Sequence, residues 1–538
     1  MANNKFFHGT SLLLGDNKVP GLQIPDEIKK VIPTIFKACR DFGLDFFPTV
    51  VQMLTYDEIS EVAAYGGFPV RYPHWQWGME YEELQRGYEH GMHRIYEMVI
   101  NTNPCYIYCL DSNTLVDNVT VIAHALGHND FFKNNVFFSP TSQNMLNQLA
   151  NHGTRIRKYI ARWGKERVTE FIDHCLRIDT LIDFSNSWQK HTFNERVITD
   201  SRKWKHPKRL KVEDGHDYME PHINTKEWND KQLKKIEREE IATELDIFKG
   251  STKDIMRFIR DNAPLKPWQA DIIDMLYQES MYFAPQRLTK MLNEGWASFT
   301  DQQIMCRQGL CGLGQKTADS GIFEYAKHKM GVLGGKYSTN PYKLGFCLFN
   351  DIEDRWNKGR FGTKYDECDT LEERKNWDEN LMMGKEKIFE VRKHYNDLTA
   401  LNEFFTPDFC DKYEFFDWKR MPNGDIKLED RDFKKIKSKL LRKYANGGLP
   451  EIALVDPNHR GKGYMLLQHH SEGQTLYPSY VEAVMQSLYF FWGSEVFLAT
   501  KDKDGNEIVY EAIGTEDGDV GVISRERYEE EVKKSKNG

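Results

Sequence analysis

The sequence predicts a mainly α-helical protein with a small α+β module at its C-terminal end. Two observations carry that prediction. Apolar side chains recur at helical spacing through most of residues 26–395, and after about residue 445 the pattern changes to short β-type runs joined by turn residues. On this reading the chain divides into a helical core over 1–360, a charged helical connector over 361–444 and the α+β module over 445–538. A charged insertion near 195–240 interrupts the core.

After Pro25 and Asp26, the residues Ile28, Val31, Ile32, Ile35 and Phe36 fall on one face and predict a helix over 26–43. Residues 53–78 mix short helix with turn, punctuated by Gly66-Gly67, Pro69 and Pro73. Tyr81, Leu84, Tyr88, Met92, Ile95 and Met98 form an apolar stripe that predicts a helix over 80–100. Asn101 to Pro104 ends it, and Ile107 to Leu110 fits a short strand. Further helices are expected over 118–132, 143–163 and 165–184. From 195 to 240 apolar periodicity gives way to polar and charged residues broken by Pro207 and Pro221. Helical patterning returns over 241–261 and 267–308. Residues 309–339, with seven glycines, fit loop, helix and loop, and 366–395 fit a charged helix. In the tail, 451–455, 463–467 and 495–499 read as strands, and Tyr480 to Phe491 as a helix before the third. Asp502 to Asn506 is a hairpin turn signal followed by Ile508 to Tyr510.

The chain has 538 residues, 40% of them hydrophobic, enough for a sizeable core and more than one domain. An aromatic content of 13% argues against wholesale disorder. A net charge of −8 argues against a general nucleic-acid binder. The local exception is Arg202, Lys203, Lys205, Lys208, Arg209 and Lys211, with Trp204 among them; it reads as a solvated linker, or as a dock for a polyanion. Nine cysteines without a CxxC pair fit reduced thiols. There is no signal-peptide pattern and no run of 18 apolar residues, so a cytoplasmic protein without a membrane span is expected.

The sharpest local feature is His124-Ala-Leu-Gly-His128. Residues four apart on a helix lie one turn apart on one face, so two such imidazoles can grip one divalent metal. This is the spacing of the zincin helix HExxH, but Ala125 stands where its glutamate would. Taken alone, the pair also fits two hydrogen-bonded structural histidines. The segment Asn293-Glu294-Gly295-Trp296-Ala297 resembles the one from which gluzincin-type metallopeptidases take a third ligand. His124, His128 and Glu294 would then form a two-nitrogen, one-oxygen site, suited to a divalent metal such as zinc, with a fourth position open to water. Trp296 is placed to wall the pocket. The alternative is an exposed helical glutamate beside a core tryptophan.

Asp301 follows Glu294 by two turns on the same face, as a fourth ligand, a partner of a ligand or a water-orienting base. Asp130 points away from the pair and fits a cap or salt bridge. His152 opens or lines another helix, and either enters the site or is structural. His90 and His93 fit packing or surface roles. With Ala125 in the motif, Glu89, Asp301 and Tyr282 are candidates for the general base by residue type alone. No GxxxxGK[ST] phosphate loop and no GxSxG elbow occurs.

These motifs resemble the stage V sporulation protein R (SpoVR) family. The resemblance rests on the run from Ala123 to Asn135, the run from Tyr96 to Tyr106, Tyr282 to Gln286 leading into Asn293 to Ala297, and Asn340 to Gly345 leading into Phe349 to Glu353. Arg40 to Phe47 and Tyr65 to Pro69 match as well, and the stretch from Asp456 to about Thr500 matches less sharply. The resemblance implies a cytoplasmic protein of bacterial, archaeal or phage type, linked to stress and sporulation. It also implies association with a serine protein kinase and a von Willebrand-type domain protein. It implies no particular reaction. Where the family carries a histidine seven residues after the glutamate, this chain has Asp301, a harder oxygen donor.

Two functions follow as expectations. One is a metal-dependent hydrolase whose helical core is zincin-like. The other is a non-catalytic regulatory or scaffold partner of the kinase and von Willebrand-type system, with the histidines in a structural metal site or a buried polar cluster.

Overall fold

The computed structural model describes residues 11–13, 24–89, 97–187, 251–313, 318–335, 337, 340–421, 425–471, 473–514 and 520–524. The basic run 202–211, the charged stretch 195–240 and the histidines at 90 and 93 lie outside them. Two compact units form, Met1–Lys158 with Tyr282–Gly448, and Tyr159–Met281 with Leu449–Gly538. The stretch 361–444, expected as a connector, falls in the first unit, and the C-terminal strands share the second with residues 159–281.

The described residues are mainly helical, with small sheets. The first unit opens with β1 (Ser11–Leu13) and α1 (Asp26–Phe42). Asp26 and Glu27 in its first turn suit the positive end of the helix dipole, and Gly43, at a φ of 111°, ends it in the left-handed conformation. Next come β2 (Thr49–Leu54) and α2 (Tyr56–Ala64), the latter started by a reciprocal Thr55–Glu58 capping box. They are followed by α3 (Trp75–Glu89), β3 (Glu97–Ile100) and β4 (Cys105–Leu110).

The strands order as β1-β2-β4-β3, with β1/β2 and β2/β4 parallel and β3/β4 antiparallel. The helix expected over 80–100 is corrected here. The described helix covers Trp75–Glu89, and 97–100 are extended, with Val99 opposite Ile107. The segment 53–78, read as helix and turn, begins inside strand β2.

α4 (Leu115–Asn134) carries the histidine pair. Thr114 caps it by accepting from Asp117 N–H at 3.1 Å. From Val116 through Phe132 nearly every side chain is buried, including Asn118, Thr120, Asn129 and Asp130. A helix wrapped on all sides is a core element.

The next helices are α5 (Met145–Trp163), α6 (Lys165–Arg177), α7 (Ile255–Asn262) and α8 (Pro267–Leu288). The helical stretch expected over 267–308 breaks at Thr289. There α9 (Lys290–Gln302) begins, and it continues into a π turn over Gln303–Arg307. The first unit also contains α10 (Ala318–Leu333), α11 (Pro341–Lys358), α12 (Gly384–His394) and α13 (Asp397–Phe404), with further short helices and a hairpin after them.

α4, α9 and α11 approach closely because glycines line their contacts. A Cβ at Gly295 would strike the backbone of Gly345, and one at Gly345 would lie 2.8 Å from the Gly295 Cα and collide with the Met291 carbonyl. A Cβ at Gly127 would lie 2.9 Å from the Ala297 Cα. The glycines of these three signature segments thus set the helix spacing that brings Glu294 to the histidines. Dense packing leaves no room for the missing atoms.

In the second unit, β7 (Ile452–His459), β8 (Tyr464–His469), β9 (Val496–Lys501), β10 (Glu507–Gly514) and β11 (Val520–Ser524) form a sheet of order β11-β10-β9-β8-β7. In the first unit, β5 (Asp417–Arg420) and β6 (Ile426–Asp430) form an antiparallel hairpin. Only β8 and β9 pair in parallel, and that pairing requires a crossover, supplied by α14 (Pro478–Trp492). Phe171 of α6 packs edge-on to Phe491, and Phe258 of α7 packs against Trp492.

Candidate metal centre

Among the described residues, His124, His128 and Glu294 form a group whose ligand atoms all lie within 4.8 Å of one another. α4 supplies the first two, one turn apart, and α9 supplies the third. Glu294 Oε2 lies 3.3 Å from His128 Nε2 and 3.8 Å from His124 Nε2. The imidazoles are 7% and 6% exposed, and the Glu294 side chain 16%. Burial raises the Glu294 carboxyl, but the charge of His128 and the close polar approach of both histidine rings outweigh it. They hold the group well below the usual carboxylate range.

The other ring nitrogens are anchored. Asp301 Oδ2 lies 2.8 Å from His124 Nδ1, and Asn293 Oδ1 lies 2.8 Å from His128 Nδ1. With oxygen acceptors at both Nδ1 positions, each ring carries a proton there and faces Glu294 with its Nε2. Ligating histidines ordinarily show this arrangement. Tyr342 stacks on His124 and Phe132 on His128, with ring planes 21° and 16° apart.

Asp301 is itself fully engaged. Besides His124 it accepts from Tyr325 Oη at 2.6 Å and from Lys329 Nζ at 2.7 and 2.8 Å. Burial raises its carboxyl, but Lys329 and the hydrogen bond from His124 bring it below its ordinary value. It orients a histidine, and both its oxygens are occupied.

The remaining sequence candidates lie elsewhere. Tyr282 donates to the Asn101 carbonyl at 2.8 Å and packs on Phe68. Its hydroxyl, raised by burial, belongs to a separate apolar cluster. His152 is buried on α5 and stands outside the three-residue group. The Glu89 side chain lies outside the described residues. Trp296 is fully buried, stacked on Phe299, and donates from Nε1 to Asp130 Oδ2 at 2.9 Å. It anchors the core, and its indole N–H is committed to Asp130.

Asp130 also accepts from the Asp45 N–H at 2.7 Å and faces Arg392 Nε at 3.4 Å. Burial pushes its carboxyl up to about 6 against Arg392 and these donors. Asn129 exchanges hydrogen bonds with the Phe47 backbone, and Asn134 donates to the Asp45 carbonyl. The Arg40–Phe47 and Ala123–Asn135 signatures are therefore one structural unit.

Sequence reasoning missed Asn293, Tyr325, Lys329, Phe132 and Tyr342 as neighbours of the pair. Asn293 had a usable signal, since it precedes Glu294 in the same motif.

Comparison with known proteins agrees with the motifs. The family model described as SpoVR like protein matches residues 23–449. The uncharacterized protein YcgB of Escherichia coli K12 is 26% identical over 504 residues, covering 89% of this chain and 93% of the relative. No solved structure matches the chain significantly. No helix among the described residues is long and apolar enough to cross a membrane. With the family match spanning most of its length, the chain belongs to the SpoVR-like family.

Proposed function

We propose that this protein is a metal-dependent hydrolase of zincin-like type. A divalent cation, zinc by ligand preference, would be held by Nε2 of His124, Nε2 of His128 and the carboxylate of Glu294. One observation carries the reading: three ligand atoms converge while both Nδ1 atoms are tied back. Tetrahedral zinc with bonds of about 2.0–2.1 Å separates its ligand atoms by about 3.3 Å. Glu294 Oε2 stands 3.3 and 3.8 Å from the two Nε2 atoms. Charge-assisted hydrogen bonds would instead be about 2.7–2.9 Å.

When bound, the ion would supply Lewis acidity and lower the pKa of a water in the fourth position to about 7. A carboxylate at position 125 is therefore not required for that water to ionise near neutral pH. The chain's own residues bind through His124, His128 and Glu294, orient through Asp301 and Asn293, and shield the imidazoles through Tyr342 and Phe132. Amides of peptide or cell-wall origin are the proposed substrates, by analogy with hydrolases of this ligand set.

The test is hydrolysis of a panel of peptide and cell-wall-derived amides by zinc-loaded protein. Turnover is expected to vanish on chelation, return with zinc and be absent in Glu294→Ala. Turnover that survives chelation and the substitution contradicts the reading.

The near-complete burial of both imidazoles favours a second reading. In it the metal is structural, and the protein is a regulatory or scaffold partner of a serine protein kinase and a von Willebrand-type protein. Stoichiometric zinc without turnover across the panel supports this alternative.

A further inference from the structure

We propose that Lys329 and Tyr325 are positioning residues for metal binding, clamping Asp301 so that His124 presents Nε2 to the cation. The inference rests on the metal reading above and assigns the device that sets affinity at one of its two histidines.

The geometry is specific. Lys329 and Tyr325 are four residues apart on α10, so their side chains lie on one face. Both reach Asp301, across the interface to α9. Lys329 Nζ donates to Asp301 Oδ1 and Oδ2 at 2.7 and 2.8 Å and to the Ser298 carbonyl at 2.6 Å. Tyr325 Oη donates to Asp301 Oδ1 at 2.6 Å. Lys329 is only 9% exposed, and its ammonium lies 5.1 Å from the centroid of the Phe346 ring. A buried lysine is costly unless paired and hydrogen-bonded, and here the pairing partner is the carboxylate that touches a ligand.

The two histidines are supported unequally. His128 leans on Asn293, a neutral amide, whereas His124 leans on an anion held by a buried cation and a phenol. An anionic acceptor at Nδ1 polarises the imidazole and strengthens its Nε2 as a donor to a metal. Removing Lys329 takes away two of the four side-chain hydrogen bonds that fix Asp301. The carboxylate is then free to turn from His124 Nδ1.

The experiment measures zinc affinity by competition with a chromophoric chelator, and the visible spectrum of the cobalt-substituted protein. It uses the full chain as wild type, Lys329→Met, Tyr325→Phe, Asp301→Asn and the Lys329→Met/Asp301→Asn double variant. Thermal melting of the metal-free proteins reports folding. Lys329→Met is expected to weaken zinc binding about 10–100-fold and to change the cobalt spectrum. Tyr325→Phe, which removes one oxygen and is the safeguard should Lys329→Met fail to fold, is expected to weaken it less. The double variant should bind about as weakly as Asp301→Asn alone, because the lysine acts through the aspartate. Unchanged affinity and spectrum in folded Lys329→Met or, if that variant does not fold, in Tyr325→Phe overturns the proposal. So do losses that add in the double variant. Failure of wild type itself to bind zinc overturns the metal reading, and this inference with it.

Discussion

Two stretches of one helix use their polar groups differently. From Asn129 to Asn135, every polar side chain of α4 and the residue after it is spent on the protein's own chain. Asn129 and Asn134 hold the 45–47 backbone, Lys133 pairs with Asp45, Asp130 joins Asp45, Trp296 and Arg392, and Asn135 holds the Arg392 and Tyr395 carbonyls. One turn earlier, His124 and His128 use Nδ1 in the same way, yet their Nε2 atoms meet a carboxylate at distances that suit a shared cation. Buried polar groups ordinarily end in hydrogen bonds. On the proposed reading, the difference separates the part of the signature that builds the core from the part that would hold a metal.

Substitutions can break this contrast, and the largest effect is expected at Asp130. Asp130→Ala leaves Arg392 buried without its carboxylate and should cost about 3–5 kcal/mol in denaturant unfolding. A loss below about 1 kcal/mol would mean that the Asn129–Asn135 stretch is not structural. Asn129→Ala should cost about 1–3 kcal/mol, since backbone groups of Phe47 lose their partner. It should leave zinc stoichiometry unchanged; loss of zinc from folded Asn129→Ala would merge the two stretches into one function.

The smallest effect is expected at a half-buried histidine of the second unit, which serves as a control. His174 bonds Ser487 Oγ at 3.0 Å and stacks on Phe490. Burial first, then Arg177, lowers its pKa from 6.5 to about 4. Between these values the unfolded chain binds a proton that the folded unit does not, so stability is full above about 6.5 and falls as pH drops toward about 4. Thermal melts across that window should show the slope in wild type and a shallower one in His174→Gln. Zinc should not alter it.

Local spacing made the centre legible, and long-range contact hid its support. His124 and His128 declare a shared face through their separation, and Glu294 and Asp301 do so two turns apart on α9. Nothing local ties Lys329 or Tyr325 to Asp301, because that contact is made only when α10 docks on α9. Strands β2 and β3 were missed for a related reason. Met98, Val99 and Ile100 are too few to distinguish period 2 from a continuing helical stripe, and only pairing with β4 decides the matter. Strands β7 to β10 were legible because turn residues bracket them, as at Asp502 to Asn506, whereas β11 was not read from the sequence. Trp296 invited a pocket role by adjacency to Glu294, but its bond to Asp130 draws it into the core.

Metal content of purified protein, by mass spectrometry, tests the central claim most directly. The comparison is wild type against the His124→Ala/His128→Ala double variant, each after incubation with zinc and removal of the excess. The account predicts about one zinc per wild-type chain and none in a double variant that still melts cooperatively. No retained metal in wild type, or equal metal in both proteins, would contradict it.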